Sequence, residues 1–239
     1  MSFGGIILLA DNLKAVQDKI NKALQQRKEV KLTGNTVTLV GVTKNHPADV
    51  VSEALAQGIN NIGENRVQEA KAKKEILGKN GYWHLIGHLQ TNKARQAVAL
   101  FDLIESVDSE HLLQAVDKEA ARIDKVQDVL LQLNIAHEEQ KSGFSREEYL
   151  AVLPLLDNYQ HVRIRGLMVI APKTDDMNLV RDIFAAGYRC FCRLKAVRPE
   201  IDCLSMGMSG DYTIAIEEGA NIVRVGTALF GQRDYSLKF

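Results

Sequence analysis

Cysteine is scarce in this sequence of 239 residues, and its scarcity argues against one class of proteins. The three cysteines, Cys190, Cys192 and Cys203, form an odd set that fits reduced thiols better than a disulfide framework. Because disulfides persist in oxidising compartments, we expect a cytoplasmic protein whose cysteines pack in the core. Proline is also scarce, with four residues, and no long segment rich in proline, glycine or serine divides the chain. The sequence therefore predicts a single domain over residues 1–239.

The sequence has no excess of either charge and no long apolar run. Its 30 basic residues balance 30 acidic ones, so no overall field attracts nucleic acid or an anionic membrane surface. The apolar segment 6–10 lacks a basic flank and is followed at once by Asp11, so it is too short for a membrane span and a poor signal peptide. With 46% hydrophobic and 25% charged residues, the composition is typical of a folded soluble protein.

Strand and helix patterns alternate along the chain. Apolar residues at three- and four-residue steps predict an amphipathic helix over residues 9–30. Residues 36–42 are β-branched or apolar, which is typical of a strand buried on both faces of a parallel sheet. Further strands are predicted near residues 59–64, 82–87, 103–107, 127–134, 163–170, 203–207 and 221–225. Helices are predicted over residues 47–58, 68–77, 92–101, 110–122, 146–159, 178–197 and 212–218.

Eight strands that alternate with helices predict an α/β fold, a single (β/α)8 TIM barrel over residues 36–231 with an extra N-terminal helix. The helix boundaries are marked by Thr91, Ser109 and Ser145 as caps and by Gly58 and Gly219 as terminating glycines. A doubly wound open sheet is the alternative. Against it, residues 41–46 after the first strand contain one glycine and no dinucleotide fingerprint or phosphate loop.

Polar residues follow the predicted strands, where active-site groups of such barrels lie. Lys44 ends the first strand, where partial desolvation favours a neutral amine that can form a Schiff base; the alternative is a solvated lysine. Residues 206–211 supply two glycines and Ser209 at a helix start, and residues 225–227 supply amides beyond the last strand. Loops at these two places commonly bind phosphate. Together these features indicate an aldehyde that carries a phosphate, which describes pyridoxal 5′-phosphate.

Six segments resemble the pyridoxal phosphate homeostasis protein family, in order and at strand ends, within a match over about residues 9–235. They are VTKNHP at 42–47, GENRVQE at 63–69, WHLIGHLQTNK at 83–93, GLM at 166–168, LSMGMS at 204–209 and VRVGTALFG at 223–231. The sequence departs from common family residues at Thr43, Ile62 and Arg66, which affects packing and the pocket rim. The cofactor assignment does not depend on these three positions, but any fine ligand preference does.

The resemblance implies the barrel of the alanine racemase N-terminal domain and a set of cofactor-binding residues. It implies that Lys44 holds pyridoxal 5′-phosphate as an internal aldimine and that Asn65 lies beside the ring. By the same comparison, Arg224 faces the pyridine nitrogen. The phosphate is assigned to Ser209, Gly226 and Thr227. Without the resemblance, Arg224 is as easily a strand-end arginine paired with a helix carboxylate.

The resemblance also implies a protein that acts in vitamin B6 and in amino-acid and keto-acid homeostasis, without robust catalysis. Arginine only donates hydrogen bonds, so Arg224 would keep the ring nitrogen unprotonated and the cofactor a poor electron sink. A racemase also needs a second acid or base, supplied in such enzymes by an additional β-domain, whereas this sequence ends at Phe239. We expect a monomer whose partners are the cofactor and recipient apo-enzymes. The alternatives are an amino-acid racemase and an aldolase-like barrel that acts on a sugar phosphate.

Several other polar residues are candidates for chemistry but have simpler interpretations. His84 and His88 share a strand face as candidate metal ligands, yet no carboxylate or thiolate set accompanies them, so we expect core or loop contacts and no metal. Glu64 and Asp108 are a candidate carboxylate pair, and the alternative is that each orients a basic side chain. Lys141 either binds an anion at the barrel mouth or belongs to a mobile loop.

Overall fold

The structure of the protein, a computed structural model, describes residues 3–136 and 142–232. Eight parallel strands form one closed barrel in chain order. They are β1 (Thr38–Val42), β2 (Asn61–Glu64), β3 (Tyr82–Leu85), β4 (Leu103–Val107), β5 (Gln127–Leu133), β6 (Val162–Val169), β7 (Cys203–Met206) and β8 (Ile222–Val225). Strand β1 pairs with both β2 and β8, which closes the sheet. The predicted TIM barrel is confirmed.

Helices surround this barrel in the described part of the chain. The α-helices are α1 (Phe3–Gln25), α2 (Ala48–Ala56), α3 (Val67–Leu77), α4 (Ala94–Leu100), α5 (Glu110–Ala121), α6 (Arg146–Val152), α7 (Met177–Val197), α8 (Tyr212–Glu217) and α9 (Thr227–Phe230). Two 3-10 helices, Thr91–Lys93 and Leu153–Asn158, precede α4 and follow α6. None of the helices in residues 3–136 and 142–232 is long and apolar enough to cross a membrane.

The extra N-terminal helix is present, but its predicted bounds, residues 9–30, are wrong. Helix α1 packs against α8 and α9, and it ends at Gln25. Just beyond it, Arg27 donates hydrogen bonds to the carbonyl oxygens of Ile216 and Ala220, each at 2.8 Å. Ile216 is in the last turn of α8, where its carbonyl oxygen also accepts from the N–H of Gly219 at 3.0 Å, and Ala220 lies beyond the helix. The segment just after α1 is therefore bonded to the end of α8 and to Ala220 beyond it.

Two of the three predicted N-caps are confirmed. Ser109 accepts a hydrogen bond from the backbone N–H of Leu112 at the start of α5, and Ser145 forms a capping box with Glu148 at the start of α6. The prediction for Thr91 is wrong, because this residue begins the 3-10 helix and Gln90 precedes it as the cap residue. The cap pattern thus locates helix starts only where the first turn is α-helical.

The helix ends predicted at Gly58 and Gly219 are confirmed, and the helix end predicted at residue 159 is wrong. Gly58 and Gly219 follow α2 and α8 with φ of 86° and 116°, conformations that favour glycine. The helix predicted over residues 146–159 instead becomes a 3-10 helix after Val152. Pro154 lies in this turn and has no N–H to continue the α-helical bonding.

The barrel interior has an apolar floor and a polar layer above it. The floor is a small cluster separate from the main core, formed by Val40, Leu103, Leu130, Met168 and Ile222. Side chains two residues apart on a strand point to the same side, so Glu105 on β4 and Arg224 on β8 lie above this floor. Both are almost fully buried. The floor closes the barrel, and the polar layer faces the mouth.

Candidate functional site

The residues predicted to bind the cofactor all lie at or just beyond the carboxyl ends of four strands. Lys44 follows β1, Asn65 follows β2 and Ser209 lies between β7 and α8. Arg224, Gly226 and Thr227 lie at the end of β8. In the closed barrel, β7, β8, β1 and β2 are consecutive neighbours. The structure therefore brings these segments together on one side of the barrel mouth.

Ser209 joins the loop after β7 to the start of α9. Its Oγ atom accepts hydrogen bonds from the backbone N–H groups of Gly226 at 3.2 Å and Ala228 at 3.3 Å. Thr227 lies between these two residues, with its side chain exposed. The three residues predicted to hold a phosphate are thus adjacent in space. The two amides donate to the hydroxyl here, and hydroxyl and backbone amide groups gathered at one place are groups that bind anions.

The loop that carries Ser209 has a fixed shape. Gly207 has φ of 90°, and a Cβ atom added there would lie 2.7 Å from the Cα atom of Tyr212. The backbone N–H of Met208 donates to Oδ1 of Asp211 at 2.5 Å. Burial raises the pKa of Asp211, while this hydrogen bond acts in the opposite direction. The close packing at Gly207 and this bond hold Ser209 in place beside α9.

Arg224 is buried in the polar layer, where it contacts groups from three other strands. It donates hydrogen bonds to Ser205 Oγ on β7 and, at 3.1 Å, to the Val169 carbonyl oxygen on β6. Its Nη1 atom also lies 3.7 Å from the Glu105 carboxylate on β4. Burial lowers the pKa of Arg224, and the charge of Glu105 opposes that effect. The alternative partner, a helix carboxylate, is wrong because the carboxylate is on a strand.

Glu105 extends this network to the opposite wall of the barrel. Its second oxygen, Oε1, lies 2.6 Å from Nδ1 of His84, whose Nε2 atom lies 3.0 Å from Oδ1 of Asn61. Burial alone would raise the pKa of Glu105, but the His84 hydrogen bond and the His84 and Arg224 charges lower it below its ordinary value. Glu105 was not among the site residues predicted from the sequence. Its signal was a charged residue in strand segment 103–107, in which the other residues are apolar except Ser106.

The chain around Lys44 turns sharply after β1. The N–H of His46 donates to the Thr43 carbonyl oxygen at 3.0 Å, and Asn45 has φ of 57°, a conformation that residues other than glycine seldom adopt. Lys44 itself is half-buried. The side chain of Thr43 is fully buried and donates a hydrogen bond to Glu64. The turn that carries Lys44 is therefore attached to β2.

A buried charged cluster lies behind this turn, formed by Glu64 of β2 and by Glu69 and Lys73 of α3. The Nζ atom of Lys73 donates to Glu64 at 2.6 Å and to Glu69 at 2.8 Å. Burial raises the pKa of Glu64 to about 7, although the Lys73 charge acts to lower it. Glu69 and Lys73 were not among the site residues predicted from the sequence, because acidic and basic residues on a helix ordinarily face solvent.

A cavity of about 280 Å³ opens at the mouth beside these segments. It is lined by Asn65, Ile86, Gly87, His88, Gln132, Leu133, Asn134, Ser142 and Ile170. Of the predicted binding residues, only Asn65 belongs to this lining. Its Oδ1 atom is buried and has no hydrogen-bond partner among the described residues. An unpaired buried amide oxygen at a cavity is available to a bound molecule.

The remaining candidate residues have other partners. Both ring nitrogens of His84 have the contacts given above, and His88 lies beyond β3, where its Nδ1 atom is 2.9 Å from Asp108. Asp108 therefore contacts His88 while Glu64 contacts Lys73, so the two carboxylates do not form the pair considered from the sequence. Lys141 lies outside the described residues.

Comparison with known proteins identifies the family. The family described as alanine racemase, N-terminal domain, matches residues 12–234. A pyridoxal phosphate homeostasis protein of Escherichia coli K12 is 37% identical over 239 residues, covering 96% of this chain and 99% of that protein. A protein of the same name from Haemophilus influenzae is 37% identical over 230 residues, covering 94% of this chain and 96% of that protein.

Solved structures show the same fold. PipY of Synechococcus elongatus PCC7942, with pyridoxal phosphate bound, superposes with a TM-score of 0.80 at 38% identity, covering 93% of this chain and 100% of PipY. Alanine racemase of Corynebacterium glutamicum has a TM-score of 0.69 at 15% identity, covering 98% of this chain and 63% of the racemase, which shows a shared fold alone. By its sequence and its barrel, this chain belongs to the pyridoxal phosphate homeostasis protein family.

Proposed function

We propose that this chain binds pyridoxal 5′-phosphate and acts in vitamin B6 and amino-acid and keto-acid homeostasis. The observation that carries the proposal is the convergence of Ser209 with the amides of Gly226 and Ala228, beside the strand that leads to Lys44. This arrangement offers an anion site and an amine on neighbouring strands. The bound cofactor in PipY supports the proposal, because the two chains align over most of their lengths.

Each predicted residue has a distinct role in this proposal. The Lys44 amine would bond to the aldehyde carbon, and Asn65 would use its unpaired Oδ1 atom beside the ring. When bound, the cofactor supplies an electrophilic carbon joined to a ring that can withdraw electrons. Arg224 has no acceptor atom, so it would keep the ring nitrogen unprotonated and weaken that withdrawal. The phosphate would be held by Ser209, Gly226 and Thr227.

We further propose a cofactor carrier without robust catalysis of its own. The names of the relatives support this view, because they describe homeostasis and no reaction. The buried position of Arg224 next to Glu105 also supports it. The carboxylate charge offsets the cost of burying the charged guanidinium, so Arg224 would stay charged and only donate hydrogen bonds to the ring nitrogen. The proposal includes apo-enzymes that receive the cofactor, a monomeric state, a single domain over residues 1–239 and a cytoplasmic location, each of which stays a prediction.

The visible absorption spectrum of purified protein incubated with pyridoxal 5′-phosphate tests cofactor binding. We expect a yellow protein whose visible band is removed by borohydride, with the cofactor then fixed to Lys44 in a peptide digest. Lys44→Ala should lack the band. Lys71→Ala is the matched control, because Lys71 is an exposed lysine on α3, and this variant should keep the band. A wild-type protein that stays colourless would refute the proposed function and favour a sugar-phosphate ligand.

Exchange of the α-proton of alanine in deuterated water tests the absence of robust catalysis. For the coloured protein we expect no exchange above that of free pyridoxal 5′-phosphate at the same concentration. Rapid exchange that disappears in Lys44→Ala would contradict the carrier proposal and establish a racemase-like enzyme.

A further inference from the structure

The backbone on both sides of Lys44 is held by helix α3. On one side, the Thr43 carbonyl oxygen accepts a hydrogen bond from Nζ of Lys73 at 2.7 Å. On the other side, the N–H of Asn45 donates to Oε1 of Glu69 at 2.6 Å. Both helix residues belong to α3, which packs outside the barrel wall. The two peptide groups that flank Lys44 are thus attached to one rigid element.

Glu69 and Lys73 hold each other as well as the turn. They lie one helical turn apart, and the same Oε1 atom of Glu69 accepts from Nζ of Lys73 at 2.8 Å. Each side chain is 1% exposed, so water does not compete for these bonds. Charge-assisted hydrogen bonds in such surroundings are stronger than neutral ones and restrict the groups that they join. The position of Oε1 is therefore fixed from the helix side.

The turn needs such an anchor. Asn45 has φ of 57°, in the left-handed region, which asparagine adopts more readily than other residues with a side chain but still less often than the right-handed region. Without the Glu69 bond, the Asn45 peptide group can rotate toward a more common conformation, and the direction of Lys44 changes with it. The phosphate-binding groups are attached separately, through Ser209 and the start of α9. The distance between the amine and those groups therefore depends on the anchor.

We infer that Glu69 is a positioning residue that directs Lys44 toward the aldehyde carbon of pyridoxal 5′-phosphate by fixing the N–H of Asn45. This inference rests on the proposed function for the identity of the ligand. Glu69 lies on α3, outside the barrel wall, and acts on Lys44 through the backbone of the turn after β1. Its loss should weaken the covalent step on Lys44 more than it weakens recognition of the phosphate and ring.

Two ligands separate these effects. Pyridoxal 5′-phosphate bonds covalently to an amine, whereas pyridoxamine 5′-phosphate has the same phosphate and ring but no aldehyde. Glu69→Ala should lower the affinity ratio of the first ligand to the second about tenfold, the expected effect of losing a buried hydrogen bond to a charged group. Glu69→Asp keeps the charge but shortens the side chain, and should lower the same ratio at least about threefold. The exposed control Glu75→Ala should leave it unchanged.

Hydrogen exchange provides a second readout that needs no cofactor. The Asn45 amide should be protected in the wild type and in Glu75→Ala, and it should exchange faster in both Glu69 variants. A folded Glu69 variant with an unchanged affinity ratio would refute the inference, and an unprotected Asn45 amide in the wild type would refute it as well. If Glu69→Ala does not fold, the affinity ratio and amide exchange of Glu69→Asp test the inference. Protection of Asn45 in a protein whose Lys44 takes up no cofactor would refute the proposed function and leave the anchor intact.

Discussion

The guanidinium of Arg224 and the carboxylate of Glu105 lie 3.7 Å apart in the barrel interior, although their strands β8 and β4 are opposite each other in the ring. Ser205 links them, because its hydroxyl accepts from Arg224 and donates to Glu105 at 2.5 Å. Both charged groups are almost fully out of water, so Arg224 depends on Glu105 for electrostatic compensation, and Glu105 depends on His84 and Arg224. This contact fixes the residue that we propose to face the cofactor ring.

Replacement of Glu105 by glutamine should destabilise the protein strongly. The change leaves the buried Arg224 charge without its carboxylate, which typically costs about 3 kcal/mol. Urea unfolding at pH 7 measures the difference. Glu147→Gln is the control, because Glu147 is exposed and its loss should change the free energy of unfolding by less than about 0.5 kcal/mol. A loss below about 1 kcal/mol in Glu105→Gln would show that the pair is not coupled.

We expect Glu105 to make the free energy of unfolding depend on pH in the acid range. The pKa of Glu105 is lowered from its ordinary value of 4.5, so the folded state binds its proton less readily than the unfolded state. The stability from this group is therefore present above pH 4.5 and is lost as the pH falls through the lower folded value. Unfolding curves recorded from neutral into acid pH should show a smaller acid-induced loss for Glu105→Gln than for wild type.

For Glu64 we expect the opposite dependence of the free energy of unfolding on pH. Burial raises its pKa from 4.5 to about 7, so between these values the folded state holds a proton that the unfolded state has released. The free energy of unfolding should fall as the pH rises from 4.5 to about 7, by up to about 3 kcal/mol at 1.4 kcal/mol per pKa unit. Glu64→Gln should flatten this part of the profile. An identical slope in both proteins would mean that Glu64 does not titrate in this range.

Ser209→Ala should weaken binding of the phosphate group selectively. The loss of one hydrogen bond to a charged ligand group should lower the affinity for pyridoxal 5′-phosphate about tenfold or more. Affinity for pyridoxal, which has no phosphate, should stay within about twofold of wild type. Titrations followed by the visible band measure the affinities for both ligands. The exposed residue Ser52 on α2 provides the control variant Ser52→Ala, and equal losses for both ligands in Ser209→Ala would contradict the phosphate role.

Gly166→Ala should disrupt the barrel wall. A Cβ atom at this position would lie 1.7 Å from the carbonyl oxygen of Cys203, its partner across the β6 and β7 pairing. Relieving that overlap requires the backbones to separate, so we expect a loss of about 3 kcal/mol or more, or failure to fold. Thermal unfolding measures this loss of stability. At Gly210 an added Cβ would have no atom within 4 Å, so Gly210→Ala should leave stability nearly unchanged.

Local sequence patterns are sufficient to place the eight strands in order and to locate the site residues at their ends. The segments that form β1 through β8 were predicted to within a few residues, because strand patterns and turn residues are local properties of the chain. Lys44, Asn65 and Ser209 were placed at strand ends by the same argument, since a parallel barrel puts all carboxyl ends at one mouth. Their roles came from the family resemblance and stay predictions.

Which charged residues meet in the interior depends on the closed barrel and cannot be predicted from local patterns. Ser205 and Glu105 are 100 residues apart in sequence, and only barrel closure brings them into contact. The attachment of Asn45 to Glu69 also needs α3 packed against the turn after β1. Just beyond the early end of α1, Arg27 bonds to Ile216 of α8 and to Ala220, which are also distant in sequence. These contacts depend on long-range burial, in which paired polar groups replace water, and no local pattern in the sequence records that pairing.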